Sequence, residues 1–181
     1  LEWSSKYAIK FFENAGLDIF YDGEQWRSEM YEHVIRNTAG FEFLGHVKSF
    51  DYRYFNKAAC VSKPRYVKPF YVDEFLFTKQ NTEKIVKIPF TGPYTLVDWT
   101  FNEYYERKLS EEIKDLRRRK FMAKRQFLFD LIKEIARPEI EKLVDSGANW
   151  IQIDEPAATT NPAEEDMELF VESLSLINIS E

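Results

Sequence analysis

Apolar residues recur at Tyr7, Ala8, Phe11, Phe12 and Ala15. This i, i+3/i+4 spacing predicts an amphipathic helix over residues 7–15, and Gly16 stands where such a helix stops. Residues 17–21 form a short apolar run that reads as a buried strand and ends in Asp22-Gly23-Glu24, after which 25–36 return to a helical pattern. Residues 41–67 carry Phe41, Phe43, Phe50, Tyr52, Tyr54, Phe55 and Tyr66 with partial alternation, which predicts an extended, hairpin-like excursion. Pro64 and Pro69 bracket a predicted strand at 67–72, and a short helix with a turn follows at 73–82. Residues 83–90 read as a further strand, broken by Thr91-Gly92-Pro93. A charged helical region at 101–125 precedes a strongly amphipathic helix at 127–144, in which Pro138 is expected to kink or divide the chain. Ser146-Gly147 stops that helix. The strand at 150–153 runs into Asp154-Glu155-Pro156, and a last helix at 163–174 starts from Asn161-Pro162.

Strands alternating with helices, in about four units, imply an α/β protein with a parallel sheet covered on both faces. A closed eight-fold barrel needs roughly 250 residues, whereas this chain has 181, so it is either half a barrel or a small open sheet. The composition is 44% hydrophobic and 17% aromatic, which calls for a packed core. A formal charge of −6 disfavours nucleic-acid or membrane-surface binding, both of which need a positive face. Cys60 is the single cysteine, so no internal disulfide can form, as suits a reducing compartment. No apolar run approaches the ~20 residues of a membrane span, and no secretory leader is visible. The expected location is the cytoplasm. The first residue is Leu1 and not Met, so the expectation is that the true beginning lies upstream.

Three predicted strands end in polar or turn-forming clusters, around Asp22 and Glu24, at Thr91-Gly92-Pro93, and at Asp154-Glu155. In parallel barrels the active-site groups come from the carboxyl ends of the strands, so carboxylates at two such ends would meet at one mouth. There they would hold an ammonium group or a metal, or do acid–base work. On position alone, Asp22 and Asp154 serve equally well as caps of the following helices.

The motifs themselves add a resemblance. Gly16-Leu-Asp-Ile-Phe-Tyr-Asp-Gly-Glu-Gln-Trp-Arg-Ser-Glu-Met30, Lys87-Ile-Pro-Phe-Thr-Gly-Pro-Tyr-Thr-Leu-Val-Asp-Trp-Thr100 and Gly147-Ala-Asn-Trp-Ile-Gln-Ile-Asp-Glu-Pro-Ala157 occur in order. Together they resemble the cobalamin-independent methionine synthase family, from about residue 7 to about residue 174. The resemblance implies a (βα)8 TIM-barrel fold of which this chain, as one partial domain over 1–181, covers about half. It implies methyl transfer to the thiol of homocysteine, with a methylated folate or a methylated corrinoid protein as donor. Glu24 and Asp154 match carboxylates that hold the homocysteine ammonium, a task suited to charge-assisted hydrogen bonds. Trp99 falls on the methyl-donor side, its alternative being core packing. Arg27 would pair with a carboxylate in the mouth or lie on a solvated helix face. Glu155 would support the site or act as a cap for the neighbouring chain.

Departures from the family pattern matter as well. The family's zinc, which makes the thiol a thiolate nucleophile, is held by a His-x-Cys pair, a Glu and a further Cys, all downstream of the Asp-Glu-Pro motif. Those ligands are expected beyond Glu181, so zinc is expected in the full-length protein only. His33, His46 and Cys60 match no ligand position and form no zinc spacing. The family's first strand, with its Gly-Ser pair, has no counterpart before Tyr7. The basic run Arg117-Arg-Arg-Lys120, with Lys124 and Arg125, reads as a solvated helix face balanced by Glu111, Glu112 and Asp115 one turn away, or as a face for an acidic methyl-donor protein. Two other functions stand beside the synthase reading: a non-catalytic barrel homologue acting as a binding partner, and a related methyltransferase with another thiol acceptor.

Overall fold

The computed structural model describes residues 1–50, 52–160 and 163–177. The chain opens with α1 (Glu2–Asn14), β1 (Ile19–Phe20) and α2 (Met30–Arg36), then a long hairpin of β2 (Thr38–Phe50) and β3 (Arg53–Tyr66). Next come α3 (Val72–Gln80), β4 (Ile85–Thr91), α4 (Pro93–Asp98), α5 (Glu103–Lys108) and α6 (Leu116–Leu131). A π-helical turn (Ile132–Ala136) joins α6 to α7 (Arg137–Asp145), and β5 (Trp150–Asp154), a 3-10 turn (Pro156–Thr159) and α8 (Glu164–Ile177) complete the chain. Asn161-Pro162, expected to start the last helix, lies outside the described residues.

β1, β4 and β5 form one parallel sheet in that order. Side chains alternate across it. Val86, Ile88 and Phe90 enter the core, with Ile151 and Ile153 packed against it. The register pairs Lys87 with Trp150, Pro89 with Gln152 and Thr91 with Asp154, which puts these six on the opposite face. Because the strands are parallel, Gly23, Thr91 and Asp154 all leave the sheet at its carboxyl edge, as the sequence pattern requires.

The fourth expected strand, at 67–72, is not there: this stretch is irregular and leads into α3. The cause is local. Buried Glu139 of α7 accepts hydrogen bonds from the Phe70 and Tyr71 amides at 3.0 and 2.6 Å, and from the Tyr66 hydroxyl at 2.6 Å. Amides bound to a carboxylate are not offered to a neighbouring strand.

Four further expectations are corrected. Residues 25–29 form a turn and loop, not helix, because the chain must reverse after β1. The charged region at 101–125 is divided, and α6 starts afresh where the Asp115 side chain accepts from the Arg118 amide at 2.6 Å. The basic residues of α6 take acids from α8 and α4, not from the preceding turn: Arg117 pairs with Glu165, Arg125 with Glu172, and Lys124 with Asp98 and Asp166. In α1 the buried residues are Ser5 and Ile9, while Tyr7 and Phe11 stay exposed because only one side of the helix is covered. Pro138 acts as expected, differently in detail: the π turn widens the helix just before it, so the missing proline N–H falls in the first turn of α7.

The hairpin accounts for the aromatic excursion. Its register slips between Ala39 and Phe41 and between Phe43 and Gly45, so alternation in the sequence is broken. Gly40, at φ 107°, carries the first slip; a Cβ there would stand 3.0 Å from the Ser62 and Lys63 carbonyl oxygens. Phe101 fastens the base of the hairpin to the body, donating to the Ala58 carbonyl at 2.9 Å and accepting from the Cys60 amide at 2.8 Å.

Candidate functional site

At the end of β1 the chain turns through two left-handed residues, Gly23 at φ 78° and Glu24 at φ 57°. Glu24 is the only non-glycine residue with positive φ among the described residues. That conformation costs about 1 kcal/mol or more, so the surroundings must impose it. Asp22 does so: its Oδ1 accepts from the Glu24 amide at 2.9 Å, and its Oδ2 from the Ser5 hydroxyl of α1 at 2.7 Å. Asp22 is fully buried and both its oxygens are engaged.

The Glu24 carboxylate is 41% exposed and takes one hydrogen bond, from Arg27 Nη1 to Oε2 at 2.9 Å. Arg27 is 2% exposed. Its Nε and Nη2 both donate to Oε1 of Glu74, at 2.9 and 2.6 Å, and the guanidinium lies 4.2 Å from the centre of the Tyr71 ring. Arg27 therefore does pair with a mouth carboxylate, and with a second one from α3. Burial pushes the Glu74 carboxyl up to about 7, against the pull of Arg27.

At the end of β5, Gln152 Nε2 donates to Oδ1 of Asp154 at 2.6 Å. Glu155 turns the other way. Its oxygens accept from the Tyr94 and Thr95 amides at 2.9 and 2.7 Å and from the Thr95 hydroxyl at 2.7 Å, so it caps α4. Gly92 makes room for it, since a Cβ there would overlap the Glu155 carboxylate. Burial raises the Glu155 pKa, opposed by these donors. Of the two readings of Glu155, capping is the one its contacts match.

A cavity of about 290 Å³ opens on the sheet face that carries Asp154, lined among others by Tyr21, Gly23, Glu24, Lys87, Pro89 and Gln152. Glu24 borders it directly, and Asp154 adjoins it through Gln152. Trp99 does not line it. Trp99 ends α4 and packs on Phe55 of the hairpin and Tyr31 of α2, with ring centres 5.5 and 6.3 Å away. Lys87, Gln152 and Glu74 were not singled out from the sequence. The first two carried a signal: Lys87-x-Pro89-x-Thr91 and Gln152-x-Asp154 put polar groups at every second position of otherwise apolar strands. Glu74 carried none.

The zinc implied by the family resemblance does not fit the residues here. Cys60 is buried, hydrogen-bonded to the Ser62 carbonyl, and burial pushes its thiol up to about 12. His33 is stacked on Tyr71 and bonded to the Phe70 carbonyl. Among the described residues, no three His, Cys, Asp or Glu side chains group as a metal site.

Residues 2–170 match the family model described as the catalytic domain of cobalamin-independent synthase. The methionine synthase of Pyrococcus abyssi is 42% identical over 173 residues, covering 95% of this chain and 46% of that protein. That of Thermococcus kodakarensis is 43% identical over 162 residues, 89% of this chain and 43% of its own length. The chain thus spans about half the length of the curated relatives it matches. A solved B12-independent methionine synthase from Shewanella sp. W3-18-1, in complex with selenomethionine, superposes with a TM-score of 0.79 at 21% identity, over 99% of this chain and 48% of that one. The fold is about half of a (βα)8 barrel, here with three parallel strands.

Proposed function

Since this chain belongs to the cobalamin-independent synthase catalytic-domain family, we propose that it supplies the amino-acid-binding half of a barrel that transfers a methyl group to the thiol of homocysteine. Residues 1–181 act as one partial domain, and the aromatic hairpin is an excursion from it. Glu24 and Asp154 hold the substrate ammonium, and Arg27 supports Glu24. The observation that carries this reading is the pair of carboxylates at strand ends on one cavity, each with an oxygen left over: Oε1 of Glu24 and Oδ2 of Asp154 have no hydrogen bond among the described residues. A cation between two such oxygens is fixed in place, and the rest of the amino acid is oriented with it.

The enzyme would act in the cytoplasm; no helix among the described residues is long and apolar enough to cross a membrane. Zinc is the group that turns the thiol into a thiolate in such enzymes, and its ligands would come from the remainder of the protein. The methyl donor is a methylated folate or a methylated corrinoid protein, with Trp99 on the donor side through its partly buried ring. What this chain contributes to the reaction is binding and orientation, not the metal.

The test uses the full-length protein. Glu24→Gln or Asp154→Asn keeps the shape and removes one charge, so ~1.5–3 kcal/mol of charge-assisted bonding to homocysteine is expected to be lost. Melting temperature should change little. Calorimetric titration and thermal melts on the same variants read both quantities. Unchanged affinity with a large fall in melting temperature would mean that the carboxylates are structural, and would end the assignment.

A further inference from the structure

Arg27 carries one positive charge and meets two carboxylates, and it does not treat them equally. Glu74 takes two of its N–H donors, both on Oε1, whereas Glu24 takes one. The other Glu74 oxygen, Oε2, is buried without a hydrogen-bond partner among the described residues. A buried, half-satisfied carboxylate costs stability, and groups of that kind gather where function requires them. Glu74 does not line the cavity, and among the described residues its only charged hydrogen-bond partner is Arg27.

We propose that Glu74 is a positioning residue for the substrate site: by holding Arg27, it keeps one oxygen of Glu24 available for the substrate ammonium. The inference rests on the reading of Glu24 given above. The reasoning is electrostatic. A guanidinium prefers to engage a carboxylate through two parallel hydrogen bonds. With Glu74 neutral, the whole charge of Arg27 would fall on Glu24, which sits on a loop and is 41% exposed. Glu24 would then close onto Arg27 with both oxygens, and the cation site would lose half of its charge.

The position of Glu74 also makes the device sensitive to pH. Burial pushes its carboxyl up to about 7, with Arg27 pulling it down and Asp22 and Glu24 pushing it further up. The other charged or titratable groups around it are already committed. Tyr71 lies under Arg27. Tyr21, on the other side, has its ring centre 5.6 Å from the guanidinium. From α1, Lys6 stands over the Phe77 ring. From α2, His33 stacks on Tyr71. From α7, Glu139 is bound by Tyr66, Phe70 and Tyr71. Glu74 is ionised above its pKa, so the site should be competent there and should weaken as pH falls through it.

The experiment titrates the full-length protein with methionine, which has the ammonium but no thiol to titrate. Wild type, Glu74→Gln, Glu74→Asp and Glu24→Gln are compared from about pH 6 to about pH 8, the span around a carboxyl shifted to near neutrality. Wild-type affinity is expected to rise across this range. Glu74→Gln should bind about tenfold more weakly at the upper end, equivalent to ~1.4 kcal/mol, and should lose the rise, while Glu74→Asp restores part of both. If Glu74→Gln binds as wild type while Glu24→Gln is weakened, this inference is wrong and the site assignment stands. If Glu24→Gln also binds as wild type, the assignment falls and the inference falls with it. Should Glu74→Gln fail to fold, the wild-type profile decides: a flat one overturns the proposal.

Discussion

Replacing Gly92 by alanine tests how the strand ends are locked together. Gly92 has φ −66° and ψ 146°, which alanine adopts without strain. The backbone is therefore not the obstacle; the added Cβ would overlap the Glu155 carboxylate. To escape, Glu155 must leave the Tyr94 and Thr95 amides and the Thr95 hydroxyl. An ordinary cap is worth about 1 kcal/mol and a hydrogen bond to a charged group about 1.5–3 kcal/mol. Burial of Glu155 offsets part of that, as its raised pKa indicates. Gly92→Ala should then cost ~2–4 kcal/mol, and Glu155→Ala a similar amount. The decisive quantity is their coupling. With Glu155 already removed, the new methyl has space, so the double variant should be scarcely less stable than Glu155→Ala alone, a coupling of ~2 kcal/mol or more. Equilibrium urea unfolding of the four proteins measures it. Additivity to within ~0.5 kcal/mol would refute the claim that Gly92 exists to admit Glu155.

Glu139→Ala should destabilise by ~3 kcal/mol or more, since it strands two buried amides and a tyrosine hydroxyl, and Glu139→Gln by less; the same unfolding assay checks both. Cys60, with its thiol pushed up to about 12 by burial, should react with a thiol reagent at neutral pH only after unfolding; labelling of the native protein at the rate of a free thiol would contradict that assignment.

The parts of the fold that were legible in the sequence are those set by periodicity. The strands at 85–91 and 150–154 and the long helix around Pro138 were all visible as patterns, and so was the carboxyl edge where their ends gather. The false strand at 67–72 shows the limit. Its apolar residues read as a strand, but its amides are bound by Glu139, about 70 residues away, and no local pattern carries that. The pairing of the α6 basic run with α8 failed for the same reason, since helix spacing describes only neighbours on one helix. In the site, Glu24 and Asp154 were found through motif resemblance and position, whereas Glu74 was not found. A glutamate in the first turn of a helix looks like an ordinary response to the helix dipole, and only its contact with Arg27 says otherwise.

The carboxylates around this edge separate by how completely their oxygens are engaged. Asp22, Glu139 and Glu155 have every oxygen occupied by a backbone amide or a hydroxyl, and each joins two segments distant in sequence. Removing one leaves its donors unsatisfied, which is the signature of a structural group. Glu24 and Asp154 are only half engaged, and the neighbours that hold them, Arg27 and Gln152, fix one oxygen and leave the other toward the cavity side of the sheet. That is what a ligand site requires: a group held still, with capacity in reserve. The adjacent pair Asp154-Glu155 contains one of each kind. The strand pleat explains the division, because consecutive side chains leave a strand on opposite faces. Asp154 shares a face with Gln152, while Glu155 turns to α4. One motif thus supplies both the proposed substrate contact and the brace that keeps the neighbouring strand end in place.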